Sequence, residues 1–177
     1  MLKTAASCPD QLVTGIDANA ASMADAARRA ARPAKRGGLS NTLFVVAAAE
    51  SLPPELTGIA DAVTVHFPWG SLLRGLLTAD PAIVANVARI MRGGATLTVL
   101  FSVTEHDHID GIDSFDERAV AALAPAYAAL GLVLAECRPA TKDDLDRSHS
   151  SWAKRLAAGR SRPVWRLQFR RCETTGS

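Results

Sequence analysis

The stretch AAAESLPPELTGIADAVTVHFPWGSLL, residues 47–73, decides how the rest of the chain is interpreted. Its apolar run at 62–67 predicts a short buried strand, which Pro68 ends because proline has no backbone N–H to donate. Gly70 and Ser71 then open a predicted helix over 72–77. Trp69 therefore follows the carboxyl end of a strand, where α/β folds bind ligands. An isolated tryptophan can equally cap a hydrophobic core, so both interpretations stay open here.

Predicted strands and helices alternate along the whole chain. Besides 62–67, the residue pattern predicts strands at 12–17, 42–47, 95–103, 132–138 and 164–170. Helices are predicted at 20–31, 81–91, 116–130 and 148–158. Asn19 and Asp80 are the predicted N-caps, and Gly93-Gly94 is predicted to end the helix at 81–91. Pro53-Pro54 is predicted in a loop. This alternation favours a doubly wound α/β sheet.

Length and composition indicate one globular domain over residues 1–177. The chain is 48% hydrophobic and 21% charged, which is ordinary for such a domain. No apolar run approaches the roughly 18 residues of a membrane span, and the first residues do not form a signal peptide. Three cysteines without ligand-like spacing predict reduced thiols in a cytoplasmic protein.

The net charge of +2 hides an uneven distribution. Residues 26–49 contain five lysines or arginines and no acid, and residues 147–177 contain eight against the single acid Glu173. A charge run is commonly a solvated helix face. Two nearly acid-free basic segments in an almost neutral chain favour a surface that faces phosphates.

Five segments in combination resemble the aminoglycoside-resistance 16S rRNA (adenine-N1) methyltransferases. FPWGSLL at 67–73 and SWAKRLAAGRSR at 151–162 are specific when they occur together; the others are GIDA at 15–18, PAKRGGLSN at 33–41 and AAAESLP at 47–53. The resemblance covers nearly the whole chain. It implies the class I S-adenosylmethionine-dependent methyltransferase (Rossmann-like) fold, with a seven-stranded sheet. It also implies S-adenosyl-L-methionine as cofactor, and a monomer that methylates adenine N1 in the decoding site of 16S rRNA within the small ribosomal subunit, giving aminoglycoside resistance.

The predicted cofactor-binding residues follow three of the strands. Asp17 ends a strand before a helix, the position from which a carboxylate binds both ribose hydroxyls; alternatively it is a helix-start acid favoured by the dipole. The resemblance places Ala49 and Glu50 near the adenine, and Phe67, Pro68 and Ser71 near the methionine end. Glu50 alone would equally be a loop acid, and Ser71 a helix cap.

Trp69 and Trp152 are the predicted catalytic residues. An enzyme that methylates a base inside folded RNA must extrude that base and hold it between flat apolar surfaces. Two indoles can form such a clamp, and the resembling family uses tryptophans at both matching positions in this way. Trp165 has no such match and is predicted in the core or at an edge of the last strand.

The predicted RNA-binding residues lie in the two basic segments. By resemblance, Arg162 stabilises the backbone around the extruded nucleotide, and its neighbours dock rRNA, since arginine suits bidentate phosphate contacts. The first segment would read RNA shape rather than sequence. The full set is Arg28, Arg29, Arg32, Lys35, Arg36, Lys154, Arg155, Arg160 and Arg162.

No metal site or general base is predicted. The run EHDHIDGID at 105–113 interleaves histidine and aspartate without the spacing of a known metal site, and a solvated loop is the favoured interpretation. The histidines receive no catalytic role, because adenine N1 carries a lone pair at neutral pH and the sulfonium is already a good leaving group.

The sequence departs from the family at its start. Such folds open with a strand and a glycine-rich loop about 20 residues before the ribose-binding acid, whereas Gly15 is the only glycine before Asp17. Residues 1–7 match the end of the helix that would follow that loop. We therefore expect an N-terminally truncated chain, with a degraded homologue as the alternative.

Two other functions stay open. One is a non-catalytic ribosome- or RNA-binding homologue that lost cofactor binding. The other is a small-molecule methyltransferase, against which the paired tryptophans and basic segments argue.

A cofactor titration tests this departure. We expect residues 1–177 to bind S-adenosylmethionine weakly or not at all, because a glycine-rich loop supplies much of the contact in such folds. Isothermal titration of this chain beside an N-terminally extended form measures the difference. Micromolar binding by the 177-residue chain would contradict the expectation.

Overall fold

The computed structural model describes residues 1–103, 117–149 and 163–173 and groups the chain into two compact units, Met1–Leu52 and Pro53–Ser177. Six strands lie within the described residues, in a two-stranded and a four-stranded sheet. The single seven-stranded sheet that the resemblance implies is therefore not formed by these residues. Truncation and a single domain over residues 1–177 stay predictions.

The first unit is built on a pair of parallel strands. Its elements are α1 (Leu2–Ser7), β1 (Val13–Asp17), α2 (Ala20–Ala30) and β2 (Thr42–Val46), with 3-10 turns at Ala34–Arg36 and Ala49–Ser51. The strands pair in register from Val13 opposite Thr42 to Asp17 opposite Val46. Asn19 caps α2 as predicted, accepting the Ala21 N–H.

The second unit is a four-stranded mixed sheet with helices. Its elements are β3 (Ala60–His66), α3 (Gly70–Leu77), α4 (Pro81–Ile90), β4 (Met91–Phe101), α5 (Glu117–Ala129), β5 (Leu132–Pro139), α6 (Lys142–Ser148) and β6 (Trp165–Arg171), with a 3-10 turn at Pro54–Leu56. The strand order is β3-β4-β6-β5, with β3 parallel to β4 and β6 antiparallel to both of its neighbours. No helix in the described part of the chain is both long and apolar enough to cross a membrane.

An aromatic pair joins α5 to the sheet in the core of this unit. The rings of Tyr127 and Phe169 stack with centroids 4.3 Å apart, and the Tyr127 hydroxyl donates to the Leu76 carbonyl at 2.5 Å. Burial raises the pKa of Tyr127 well above its ordinary value. The residue therefore stays a neutral donor that fixes α5 against the end of α3.

The predicted end of α4 is wrong. Gly93 and Gly94 do not end α4; that helix ends at Ile90, and both glycines lie inside β4. The register between β3 and β4 shifts there, and Gly94 has a φ of 74°. Glycines in a strand are typical of such bulges, since only glycine takes this backbone conformation freely. The predicted loop at Pro53-Pro54 also contains a 3-10 turn from Pro54 onward.

The helix predicted at 148–158 is wrong in its first two residues, since His149 has a left-handed backbone after the end of α6. Ser148 is instead the last residue of α6, and residues 150–158 lie outside the described residues. The sequence carried a signal for α6, because Thr141 and Asp144 form a capping box in which each side chain accepts the other's backbone N–H.

An ion network fixes the first turn of α6 to the sheet. Arg138 of β5 binds Asp144 through two nitrogens, at 2.5 and 3.2 Å, and Glu136 at 2.9 Å. Arg166 of β6 pairs with Glu136, and its Nε lies 3.4 Å from Asp144. The Arg138 guanidinium holds the pKa of the Asp144 carboxyl well below its usual range.

We expect Asp144→Asn to lower the free energy of unfolding at pH 7 by about 1.5–3 kcal/mol, the range for hydrogen bonds to charged groups. A carboxyl whose pKa is lower in the folded state than in the unfolded state stabilises the fold while it is ionised. The difference in free energy of unfolding between the wild type and Asp144→Asn should therefore shrink as the pH falls below about 4, the pKa of the unfolded state. Urea unfolding at several pH values measures it.

Asp143→Asn is the matched control. Asp143 pairs with Arg147 on the exposed face of the same helix, at 2.6 Å. Such surface pairs contribute little, typically below about 1 kcal/mol. Equal losses from the two substitutions, or an Asp144→Asn loss that does not vary with pH, would contradict a stabilising role of the network.

Candidate functional site

Asp17 lies at the carboxyl edge of the β1–β2 pair. The Asn19 N–H donates to its Oδ1 at 2.8 Å, and the Ala47 N–H donates to its backbone oxygen at 3.1 Å. The carboxylate is half-buried and oriented by the turn into α2. An oriented carboxylate that keeps free lone pairs is the acceptor that vicinal ribose hydroxyls require.

Ala49 and Glu50 lie at the same edge. The turn Ala49–Ser51 starts three residues after β2, whose last residue Val46 is opposite Asp17. Parallel strands in register end together, so the first unit brings Asp17 and this turn to one edge. Ala49 is half-buried and Glu50 is exposed. These residues fit the ribose and adenine portion of a nucleotide-like cofactor.

A strained corner follows β3 in the second unit. Phe67 has a φ of 52°, which is rare for a bulky residue and is stabilised only by its surroundings. Its N–H donates to the Leu100 carbonyl at 2.7 Å, which extends the pairing with β4 by one residue. Pro68 then ends the strand, and the chain turns into α3 at Gly70, whose φ is 61°.

The corner presents Trp69 to solvent. Trp69 is 85% exposed and occupies the N-cap position of α3 without a side-chain hydrogen bond to the helix. The interpretation in which this indole caps the core is therefore wrong. Ser71 is exposed in the first turn of α3 and is not its N-cap. Phe67 and Pro68 are half-buried beside it, so the second unit brings these predicted residues together.

Trp165 contrasts with Trp69. It begins β6 and is opposite Phe101 of β4 and Pro139 of β5, so its strand has a neighbour on both sides. It is half-buried. This placement agrees with the structural role predicted for it.

Several predicted residues lie outside the described residues. These are Trp152 and the basic residues Lys154, Arg155, Arg160 and Arg162, together with the run at 105–113. Among the residues that are described, no three histidine, cysteine, aspartate or glutamate side chains could hold a metal ion together.

The basic segment comprises Arg28, Arg29, Arg32, Lys35 and Arg36, and all five residues are at least partly exposed. Two lie in the last turn of α2 and two in the turn Ala34–Arg36. Arg28 forms one weak contact, 3.5 Å from Asp25 on the same helix. The other four have no acidic partner in the described part of the chain, so their charge is available to an anionic partner.

His66, which received no catalytic role from the sequence, ends β3 directly before the strained corner and is half-buried. Burial lowers the pKa of its imidazole below the ordinary value.

The fold is that of the class I S-adenosylmethionine-dependent methyltransferases. A crystal structure of a tryptophan-to-alanine variant of the 16S rRNA (adenine(1408)-N(1))-methyltransferase from Catenulisporales acidiphilia, with cosubstrate SAM, superposes with a TM-score of 0.88. It is 30% identical in sequence, and the match covers 99% of this chain and 82% of that one.

The family follows from sequence comparison. Residues 1–170 match the family model described as NpmA, 16S rRNA (adenine(1408)-N(1))-methyltransferase. The enzyme of that name from Streptoalloteichus tenebrarius is 39% identical over 171 residues, which cover 90% of this chain and 76% of the relative. The Escherichia coli enzyme is 32% identical over 163 residues, which cover 86% of this chain and 73% of the relative. The chain belongs to the 16S rRNA (adenine(1408)-N(1))-methyltransferase family.

A charge reversal tests the basic segment. We expect binding of small ribosomal subunits to weaken steeply with salt. Reversing Arg32, Lys35 and Arg36 to glutamate should flatten the log–log salt slope by about one unit for each phosphate that the protein no longer neutralises. Filter binding at several salt concentrations measures both affinity and slope.

Reversing Lys3, Arg118 and Lys142 to glutamate is the control. These side chains are also exposed, lie outside the basic segment, and give the same change in net charge when reversed. If the two triple variants change affinity and slope equally, the basic segment is only a solvated surface.

Proposed function

We propose that this chain methylates N1 of an adenine in the decoding site of 16S rRNA, within the small ribosomal subunit, and so gives aminoglycoside resistance. The chain would act as a monomer in the cytoplasm. The observation that supports this most directly is the exposed Trp69 at the strained corner after β3, in a chain of this family.

Each group of predicted cofactor-binding residues would contact one portion of the cofactor. S-adenosylmethionine, when bound, supplies a methyl group on a sulfonium that leaves readily. Asp17 would accept hydrogen bonds from the ribose hydroxyls, with its carboxylate oriented by the Asn19 N–H. Ala49 and Glu50 would contact the adenine end. Phe67, Pro68 and Ser71 would border the methionine end.

Trp69 would provide one surface for the extruded base. A base that leaves the helical stack loses its stacking partners, and a flat indole replaces one of them. The second surface would come from Trp152. Because Trp69 is exposed and held by a strained backbone, no core packing has to be broken before it meets the base.

Methyl transfer would rest on alignment. Adenine N1 attacks with its own lone pair, so no side chain needs to remove a proton first. The task of the protein is to hold the nucleophile in line with the methyl group, and such orientation can supply much of the rate enhancement. The basic segment, with Lys154, Arg155, Arg160 and Arg162, would dock the protein on the rRNA backbone. Phosphate contacts of this kind fix the orientation of the protein on the nucleic acid, whereas contacts with the bases select the sequence.

A non-catalytic RNA-binding protein is the second candidate. The exposed cations of the basic segment support it equally well, because contacts with phosphates require no cofactor. The two candidates separate when small subunits are incubated with the chain and S-adenosylmethionine. Primer extension across the decoding site should show a stop at the methylated adenine. Subunit binding without any stop, also in an N-terminally extended form, would favour the second candidate.

Substitution of the tryptophans tests the clamp. Trp69→Ala and Trp152→Ala should each slow methyl transfer about 5- to 150-fold, as expected if one stacking surface contributes roughly 1–3 kcal/mol. Loss of alignment would add to this effect. Folding and subunit binding should stay nearly unchanged. Transfer of labelled methyl groups measures the rate, in the extended form if residues 1–177 are inactive.

Trp165→Ala is the matched control, because Trp165 pairs within the sheet. It should lower the melting temperature and reduce activity only in proportion to the folded fraction. Wild-type transfer rates in either clamp variant would remove the proposed role in holding the base.

A further inference from the structure

Part of the basic segment lies in a loop whose two ends are joined. The basic loop, residues 31–38, follows α2 and contains three exposed cations, Arg32, Lys35 and Arg36. It is closed at its base, because the Leu39 N–H donates to the Ala30 carbonyl at 2.9 Å. Ala30 is buried and ends α2, so the bond also satisfies a carbonyl that the end of a helix leaves without a partner.

Backbone hydrogen bonds fix the interior of the basic loop. The Gly37 N–H donates to the Ala34 carbonyl at 3.0 Å, and the Gly38 N–H donates to the Pro33 carbonyl at 3.3 Å. These two bonds form a Schellman motif, which ends the 3-10 turn at Ala34–Arg36. The motif needs a residue with a left-handed backbone, and Gly37 has a φ of 78°. The conformation of the loop is therefore set by its own backbone.

Gly38 lies where the returning chain passes the outgoing chain most closely. A Cβ atom at Gly38 would overlap the backbone carbonyl oxygen of Arg32 and would lie 3.1 Å from that of Ala30. These obstacles are backbone atoms, which cannot rotate away as the end of a flexible side chain can. Glycine is the residue that permits such a close approach of two backbone segments. Closure of the basic loop therefore depends on the absence of a side chain at Gly38.

This closure has a consequence for the charges of the loop. Like charges on an open, flexible segment repel one another and extend it. A closed loop keeps its three cations near each other, which strengthens the positive potential that an anionic partner meets. A surface that is ordered before binding also loses less conformational entropy when the partner arrives.

We propose that Gly38 is a positioning residue for docking on rRNA, which closes the basic loop and so orders Arg32, Lys35 and Arg36 before they meet phosphates. The proposal rests on the proposed function. In it, Gly38 does not contact RNA; it lowers the entropy that the three cations lose on binding.

Hydrogen exchange tests the closure without any RNA. In the 177-residue chain, Gly38→Ala should speed exchange of the Leu39 amide roughly fivefold to tenfold, as expected for the loss of one hydrogen bond. Exchange in β3 and β4 of the second unit should not change. An unchanged exchange rate at Leu39 would overturn the proposal.

Binding of small ribosomal subunits tests the positioning role. Gly38→Ala should weaken binding about tenfold at every salt concentration, because the loop must then be ordered on the RNA. The log–log salt slope should stay unchanged, since it reports the number of phosphates neutralised and all cations are retained. Filter binding measures both quantities.

The two quantities separate the possible outcomes. Wild-type affinity in Gly38→Ala would overturn the proposal, because closure would then contribute nothing to docking. A flattened slope would also overturn it, because phosphate contacts would have been lost instead of the prior order of the loop. A wild-type chain that binds no small subunits would contradict the proposed function, on which this proposal rests.

Two substitutions at Gly37 decide the question even if Gly38→Ala unfolds the first unit. A Cβ atom at Gly37 would meet nothing within 4 Å, so only the left-handed backbone restricts the choice of residue. Asparagine tolerates this backbone, whereas valine does not. Gly37→Asn should therefore bind subunits like the wild type, and Gly37→Val should bind about tenfold more weakly with an unchanged salt slope. Equal affinities of the two variants would overturn the proposal.

Gly58→Val is the matched control. Gly58 lies in the second unit, has a φ of 67°, and a Cβ atom there would also meet nothing within 4 Å. The substitution should lower the melting temperature and leave subunit binding and exchange of the Leu39 amide unchanged. A loss of affinity as large as that of Gly37→Val would mean that general weakening of the fold explains both variants, and it would overturn the positioning role.

Discussion

The left-handed backbone of Phe67 is the constraint on which the proposed site depends. Because the Phe67 N–H still bonds to the Leu100 carbonyl, the chain leaves β3 at a fixed point and in a fixed direction. Pro68 prevents further pairing, and the indole of Trp69 is left in solvent. A bulky residue in this conformation costs on the order of 1–3 kcal/mol and persists only where the surrounding structure offsets the cost.

Close packing begins directly after the corner. Directly after Trp69, α3 buries Leu73, Leu76 and Leu77. Gly75 lies so close to Ile83 of α4 that even a Cβ atom would overlap that side chain. This close packing fixes α3 against α4. The corner therefore lies between a paired strand and a closely packed helix. This packing restricts the backbone that carries the exposed Trp69.

Sequence patterns could predict the features of this structure that are local. Asn19 and Asp80 were recognisable as N-caps, and Asp17 and the turn after β2 follow their strands as predicted. The helix α6 was missed although its capping box was present, because a short acidic helix has no apolar periodicity.

The features that could not be predicted depend on pairing between distant residues. Gly93-Gly94 was predicted to end a helix, but the register of β4 against β3 makes it a bulge inside a strand. The positive φ of Phe67 likewise depends on a partner, the Leu100 carbonyl, that only the folded sheet brings near. The most consequential constraints around the candidate site are therefore tertiary.

The position of the target base relative to Trp69 tests the central claim most directly. Electron cryomicroscopy of small subunits bound by this protein, with a non-reactive analogue of S-adenosylmethionine, would show it. We predict that the adenine has left the decoding-site helix and lies in van der Waals contact with the face of the Trp69 indole. An adenine still stacked in its helix, or a Trp69 side chain packed into the protein with the base elsewhere, would contradict the proposed role of this tryptophan.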